Sequence, residues 1–370
     1  MLDSGWARGR GLLVLVLSAL LASAVLVGCG DDEDEGGDGA ASGEEQTDKK
    51  VRIGFVLPDL SNPVIAGFRD GAVAEAEKRG WEVLVKGTSD AKGQSDAVLS
   101  FIAAQVDLIA MDPIDGDAMA PTVTQANDAD IPVIAFQAKP ASGDLATFIF
   151  PSETTAGNFM GAGAVEFCKD KGEDPCEIGI VEGNPGDSSG REENEAFLKT
   201  VGAEPSIKVV GANPTNYDPA KALNVATDLL TANPGLDYIY SWWDQGGAAA
   251  VEAIKARDKL GEVGVSSQNG DCLNLQHVVN GDQYQDSAFF PTIQGSILIT
   301  TAADVLDGKE VPPEIKAPVM TVTNKTANAW LDGSSEPTED DVELGGATLE
   351  AVSADIVKRL EQAKAGDCPS

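Results

Sequence analysis

Two hydrophobic periods alternate along the chain. From Val51 the run VRIGFVL is short, apolar and bounded by Pro58, which is typical of a buried strand. The following residues, PVIAGFRDGAVAEAEKRG, place apolar groups at helical spacing and end at a glycine, which predicts a helix. The alternation continues through WEVLVKG, a helix near 92–103, VDLIAM, a helix near 116–128, and IPVIAF. Strands and helices that alternate at this spacing predict a parallel sheet covered on both faces.

A second series of the same kind begins at Ser152. In order, it contains a helix near 154–170, EIGIVEG, a helix near 190–202, IKVVGA, a helix near 218–232, LDYIYSW, a helix near 245–257, and GEVGVSS. Two such series predict an α/β protein with two doubly wound lobes. In open parallel sheets a ligand binds beyond the carboxyl ends of the strands, so we expect function in the strand-to-helix loops.

The first thirty residues have the pattern of an export signal. Arg8 and Arg10 precede the apolar run GLLVLVLSALLASAVLV, and Cys29 follows shortly after it. This pattern predicts a lipoprotein signal peptide over residues 1–28, with Cys29 as the lipidated first residue of the mature chain. An uncleaved membrane anchor is the alternative, although the run is short for a span. Either interpretation places the rest of the chain outside the cytoplasm, at the outer face of the cell membrane.

The segment after this cysteine is strongly acidic. Residues 30–48 contain nine acidic side chains, no basic ones and no apolar residue larger than alanine, which predicts a disordered tether over 29–50. The whole chain of 370 residues carries 60 acidic and 26 basic side chains, a formal net charge of -34. Nucleic acid as a partner is excluded, because its phosphates need a basic surface.

Four further cysteines, Cys168, Cys176, Cys272 and Cys368, would lie in an oxidising compartment. We predict a disulfide between Cys168 and Cys176, which a short turn-rich segment separates, and therefore a second one between Cys272 and Cys368. Four free thiols are the alternative. The spacings match no zinc pattern, so no metal site is expected.

Signals of catalysis are weak. The loop GDSSG at 186–190 resembles a serine-protease segment, but it opens a predicted helix, and His277, the single histidine of the chain, has no identifiable partner. The longer stretch GNPGDSSG lacks the lysine of a nucleotide-binding loop and is interpreted as a turn. The carboxylates of DPIDGDA are interpreted as helix-capping and turn residues, since they lack calcium-loop spacing. We predict neither an enzyme nor a cofactor.

Five loop segments carry a resemblance to a known family. They are Ser61-Asn62-Pro63, MDPIDGDAM at 111–119, ANDADIPVIAF at 126–136, the stretch from Tyr217 to Ala256, and FFPTIQG at 289–295. In order and spacing they resemble the periplasmic sugar-binding proteins of the ribose and galactose type, whose fold is shared with LacI-type regulators. The resemblance runs from Val51 to about Val322. A LacI-type regulator itself is excluded by the export signal and the absence of a DNA-binding helix-turn-helix.

The resemblance implies two lobes that close over a ligand by hinge bending, with three chain crossings near Phe150, Phe290 and Val319. The first lobe would comprise 51–150 and 291–318, and the second 151–290 and 319–346. The family usually ends before residues 347–370, which are expected to form a helix and tail docked on one lobe through Cys368, with a separate functional module as the alternative. The resemblance further implies a monomeric solute-binding component of an ABC importer, with a permease and ATPase subunits as partners.

The resemblance also implies candidate ligand contacts in the first lobe, at positions that match binding residues of the family. Asn62 keeps the polar loop residue of the family. Val64 and Ile65 stand at positions of two stacking aromatic residues. Gln137 and Ala138 replace an Asp-Arg pair that grips hydroxyl groups, so that charged grip is missing.

In the second lobe, Arg191 lies in the loop that supplies an arginine, although another register puts Glu193 there. Tyr217 matches an aromatic position. The remaining replacements are Trp243 for an asparagine, Asn269 for an aspartate and Phe289 for a glutamine. The pocket is therefore expected to have lost charge and gained aromatic surface.

Aromatic faces stack on the C–H faces of sugars and on planar rings. We therefore expect a sugar or polyol as the solute, with a less polar, aromatic or nucleoside-like solute as the alternative. A receptor that passes the ligand signal to a sensor protein is a second alternative, because such a receptor would show the same sequence features.

Overall fold

The computed structural model describes residues 50–368. The predicted signal peptide, Cys29 and the predicted tether up to residue 49 lie outside the described residues. Within them the chain forms thirteen strands and eleven α-helices in an alternating order. The predicted α/β class with two sheet-containing lobes is confirmed.

The strands, in chain order, are β1 Arg52–Leu57, β2 Glu82–Gly87, β3 Leu108–Met111, β4 Val133–Phe136, β5 Thr147–Pro151, β6 Cys176–Glu182, β7 Ile207–Pro214, β8 Leu236–Ser241, β9 Gly264–Asn269, β10 Gln285–Phe289, β11 Glu314–Ala317, β12 Val319–Thr323 and β13 Val342–Glu343. The helices are α1 Pro63–Lys78, α2 Ala91–Ala103, α3 Gly116–Asp128, α4 Glu153–Lys171, α5 Ser188–Val201, α6 Pro219–Ala232, α7 Asp244–Lys255, α8 Cys272–Asn280, α9 Pro291–Leu306, α10 Asn324–Asp332 and α11 Leu349–Ala365.

The strands form two sheets. The first has the order β11-β5-β4-β3-β1-β2, and all of its pairs are parallel. The second has the order β13-β12-β10-β9-β8-β6-β7 and is parallel from β10 to β7. Strands β12 and β13 extend it antiparallel. We call each sheet with its flanking helices a lobe.

The chain passes between the sheets three times. It leaves the first sheet after β5 at Ser152, returns after β10 at Phe290, and leaves again at Pro318, between β11 and β12. Three crossings of this kind permit the lobes to rotate about a hinge without unfolding either core.

Alternating side chains of the strands fill a core on each face of the first sheet. Ile53, Phe55 and Leu57 of β1 pack under α1 and α9, whereas Val56 faces the core that α2 and α3 cover. All four side chains are fully buried. Burial on both faces explains why these strands are continuously apolar and short.

Short polar side chains begin the helices that follow the strands. Asn62 accepts from the backbone N–H of Val64 at the start of α1, and Asp115 accepts from that of Ala118 at the start of α3. Asp187 caps α5 in the same way. Such caps satisfy backbone donors that a helix leaves unpaired, and they fix the loops in which they lie.

The segment after Val322, here called the C-terminal extension, packs on the second lobe. Trp330 of α10 and Ile356 and Leu360 of α11 are buried in one core with Leu275 of α8 and Val322 of β12. A disulfide joins Cys272 at the start of α8 to Cys368, and a second joins Cys168 to Cys176.

The contact between α1 and α9 yields a stability prediction. Gly71 lies against the backbone of Thr292, where a Cβ would overlap the carbonyl oxygen. Gly71→Ala should therefore force the helices apart and lower the free energy of unfolding by about 1–3 kcal/mol. Urea unfolding measures this change. Gly235→Ala is the matched control, because its Cβ would meet only a side-chain oxygen of Glu177 at 3.8 Å. Equal stability of both variants would contradict the close packing.

Candidate functional site

A cleft between the lobes lies at the carboxyl ends of the strands of both sheets and encloses about 590 Å³. Its wall consists of residues that end a strand or follow one closely. The lining residues are Asn62, Val64, Ile65, Phe68, Asp112 and Gln137 of the first lobe, Glu153, Asp187, Ser189, Gly190, Tyr217, Trp242, Trp243, Gln245, Gln268 and Asn269 of the second, and Phe289 beside the second crossing.

The predicted contact residues lie in this wall, with the exception of Ala138 and Arg191. Arg191 stands on the first turn of α5, but it is exposed, and its Nη1 donates to the carbonyl oxygen of Pro185 at 2.6 Å. The alternative residue, Glu193, is fully buried, and its Oε1 accepts a hydrogen bond from the hydroxyl of Tyr240 at 2.7 Å. Neither residue is therefore among the lining residues of the cleft, since Arg191 bonds to Pro185 and Glu193 lies buried beside Tyr240.

Aromatic rings form one part of the wall. Trp243, only 6% exposed, packs edge-on against Tyr217, with ring centroids 5.3 Å apart. The Tyr217 hydroxyl donates to the Asp187 carboxylate. Gly190 leaves room for the ring of Trp242, since a Cβ would overlap that ring. The sequence loop interpreted as a turn thus caps α5 and also shapes the aromatic wall.

Three lining residues have a backbone in the left-handed region. The φ angles are 63° at Gln137, 59° at Tyr217 and 128° at Asn269. Residues other than glycine rarely adopt such backbone angles, and these conformations persist only where surrounding contacts hold them. At Gln137 the backbone N–H donates to the carbonyl of Ile149 at 2.8 Å. The loops are thus held in shapes that the backbone alone does not favour.

Carboxyl groups form another part of the wall, and no Lys, Arg or His is among the lining residues. Burial raises the pKa of Asp112 to about 8. Burial also raises the pKa of the half-buried Glu153 to about 8, with a further contribution from Asp187 and Glu192. The cleft therefore lacks basic side chains among its lining residues but keeps acidic ones, so the expected loss of charge does not extend to carboxyl groups.

Sequence reasoning missed several lining residues. They are Phe68, Asp112, Glu153, Asp187, Ser189, Gly190, Trp242, Gln245 and Gln268. Asp112 directly follows the strand LIAM, and Glu153 follows the strand that ends at Pro151. Their location just after a strand could have identified them as cleft residues. The interpretation of DPIDGDA as capping residues fits Asp115, which caps α3, but not Asp112, which lines the cleft.

A slightly larger hollow of about 680 Å³ lies between α10 and α11. Trp330, Leu349 and Val357 line it, and none of its lining residues ends a strand. The cleft is therefore the candidate site. Within residues 50–368 we find no group of three or more His, Cys, Asp or Glu side chains placed to hold a metal ion.

Comparison with known proteins identifies the family. The family model described as "Periplasmic binding protein domain" matches residues 53–310. The chain belongs to the periplasmic binding protein family. The ribose import binding protein of Bacillus subtilis is 27% identical to this binding protein over 75% of this chain and 88% of the relative. This confirms the resemblance found in the sequence.

Two further relatives extend the comparison. The xylitol-binding protein of Mycolicibacterium smegmatis is 25% identical over 90% of this chain and 96% of its own length. A solved ABC transporter periplasmic solute binding protein from Actinobacillus succinogenes, with bound D-allose, has 25% identity and a TM-score of 0.68 over 75% of this chain and 98% of that one. The relatives are named as binding proteins, which agrees with the prediction that this chain is not an enzyme.

The C-terminal extension of this binding protein supports two loops of the cleft from behind. Arg359 of α11 donates from Nη1 to the carbonyl of Phe289 at 2.8 Å and from Nη2 to that of Gly270. Its guanidinium also lies 5.5 Å from the centre of the Phe290 ring. One side chain therefore ties the end of β9 to the end of β10, where Asn269 and Phe289 line the cleft.

This tie predicts a local change in dynamics. Arg359→Met should speed amide hydrogen exchange at residues 269–272 by about tenfold or more, because a charged hydrogen bond contributes about 1.5–3 kcal/mol. Hydrogen–deuterium exchange with mass spectrometry measures it. Lys358→Met, at the exposed neighbouring position, should leave exchange there unchanged. Unchanged exchange in both variants would show that the loops hold their shape without the extension.

The raised pKa of Asp112 predicts how stability depends on pH. The group titrates at about 8 in the folded state against an ordinary value of 3.8. The folded state therefore binds this proton more tightly, and the contribution to stability is complete below about pH 4 and lost as the pH rises through about 8. Urea unfolding from pH 5 to 8.5 should show this decline.

Asp112→Asn should flatten that pH profile, because the amide does not titrate in this range. Asp117→Asn, an exposed carboxylate in the first turn of α3, should leave the slope as it is. A slope in the Asp112 variant as steep as in the unsubstituted protein would assign the proton to other carboxyl groups.

Proposed function

We propose that this binding protein captures a sugar or polyol between its lobes and delivers it to the permease of an ABC importer. The observation that carries the proposal is the composition of the cleft. Ring faces of Tyr217 and Trp243 stand beside the hydrogen-bonding side chains of Asn62, Gln137 and Asn269. Rings that cover C–H faces, with polar groups that fix orientation, suit a compact polyhydroxylated solute. The names of the relatives support the same class, since they include ribose, xylitol and D-allose.

Capture would proceed by closure about the three crossings. Asn62 and Gln137 contact the solute from the first lobe, and Tyr217 and Trp243 from the second. A solute that touches both walls binds the closed state more tightly than the open one, so it shifts the population toward closure. The closed surface is what the permease recognises, and separate subunits hydrolyse ATP.

The attachment to the membrane belongs to the same proposal. Cys29 would carry the lipid, and the acidic residues after it would let the folded part stand away from the outer face of the membrane. No helix in residues 50–368 is long and apolar enough to cross a membrane. The protein would act as a monomer that presents its solute to the permease.

The solute class can be tested directly. Heat denaturation of the purified protein should release a sugar or polyol that mass spectrometry identifies. The same compound should raise the melting temperature of protein stripped of ligand, since a ligand at a thousand times its Kd stabilises the native state by about 4 kcal/mol. A panel of sugars, polyols, nucleosides and small aromatic acids provides the comparison. If no sugar or polyol raises the melting temperature, the proposal is contradicted.

A variant tests whether the solute binds in the cleft. Trp243→Ala removes a buried ring face, so we expect at least about a tenfold rise in Kd, which corresponds to about 1.4 kcal/mol. Isothermal titration calorimetry measures it. Trp81→Ala is the control, because Trp81 directly precedes β2 and lies outside the cleft wall. An unchanged Kd in folded Trp243→Ala protein would refute the assignment of the cleft.

A further inference from the structure

Among residues 50–368, no Lys, Arg or His side chain lines the cleft beside its carboxyl groups, and we infer that the solute carries a protonated amine in addition to its hydroxyl groups. The solute class would be an amino sugar or an amino polyol. This inference rests on the proposed function and narrows it, because a neutral sugar and its amino counterpart would enter the same cleft.

The first observation is the pairing of the carboxyl groups. The Asp112 side chain is 6% exposed, and its carboxyl group has no hydrogen-bond partner among residues 50–368. Glu153 Oε2 accepts one long hydrogen bond, from Gln268 Nε2 at 3.4 Å. Asp187 accepts hydrogen bonds from two donors, the Ser189 N–H at 3.0 Å and the Tyr217 hydroxyl. Acceptor capacity on Asp112 and Glu153 therefore faces the cleft.

The second observation concerns two other lining side chains. Two lining side chains that are at least nine-tenths buried have a polar atom without a partner in the described part of the chain: Gln268 Oε1 and Trp242 Nε1. An unpaired buried polar atom is costly, so a bound molecule that pairs with it is favoured. The Gln268 oxygen is a further acceptor, whereas the indole N–H is a donor suited to a hydroxyl oxygen.

The arginines nearest the cleft are engaged elsewhere. Arg191 donates to the Pro185 carbonyl, and Arg359 donates to the carbonyls of Gly270 and Phe289 from behind the wall. A buried carboxyl group of the second lobe shows the contrast. Asp244 accepts from the Ser267 hydroxyl at 2.7 Å and from the Asp271 N–H. Its partners lie within the protein, whereas those of Asp112 and Glu153 would come from the solute.

An ammonium group satisfies the unpaired acceptors, which are the carboxyl oxygens and Gln268 Oε1, whereas a hydroxyl oxygen of the same solute would pair with the Trp242 N–H. The ammonium group has three donors and no acceptor, and its hydrogen bonds to carboxylates are stronger than those between neutral groups. The ring faces of Trp243 and Tyr217 also attract a cation. Burial favours protonated Asp112 and Glu153 in the empty cleft, and an ammonium group beside them would favour the charged forms. A neutral hydroxyl group pairs with these oxygens but does not stabilise the charged forms of the two carboxyl groups.

The experiment compares matched pairs of solutes on the purified full chain. The probes are D-glucosamine with D-glucose, D-galactosamine with D-galactose, and 1-amino-1-deoxysorbitol with sorbitol. Calorimetry measures each Kd at pH 7. In at least one pair the amine should bind about tenfold or more tightly. Glu153→Gln or Asp112→Asn should remove most of that preference. Glu192→Gln should keep it, because Glu192 accepts from Thr154 outside the cleft wall.

The outcomes separate the inference from the proposed function. If the neutral member binds equally or more tightly in every pair that binds, the inference of an amine is refuted, whereas the proposal of a sugar or polyol as the solute stands. A preference that survives both cleft substitutions would also overturn it. If neither these probes nor any other sugar or polyol binds the stripped protein, the proposed function fails together with the inference.

Discussion

Parallel strand pairing is the constraint on which the cleft depends. In a parallel sheet every carboxyl end lies at the same edge, so the loops after successive strands meet there whatever their sequences are. Both lobes of this protein obey the rule, and the three crossings at Ser152, Phe290 and Pro318 join the lobes so that the two edges face one cleft. Residues far apart in sequence, such as Asn62, Gln137 and Trp243, therefore share one wall.

That constraint explains how far the sequence could predict the molecule. Strand and helix periods are local, so the order of elements and the loops that line the cleft could be read from the residues. The direction of a side chain within a loop is not local. Arg191 and Glu193 occupy the same turn of α5, and only packing against Tyr240 shows that Glu193 is the buried one.

The charge of the cleft was harder to predict for a different reason. An aspartate near a helix start is commonly a cap, and Asp115 is one. Asp112, three residues earlier, has the same residue type in the same acidic segment, yet it ends in the cleft because it directly follows β3. Residue type alone does not separate these roles. Their separation requires the end of the strand to be known to within one residue.

The C-terminal extension reaches the cleft from outside. Arg359 holds the backbone at Gly270 and Phe289, and the disulfide from Cys368 fixes the start of α8 directly after the same loop. The shape of this loop is thus maintained by side chains that are not part of the cleft wall. In evolutionary terms, substitutions of the side chains that line the cleft leave these supporting contacts in place, so the wall can change without the loop having to be rebuilt.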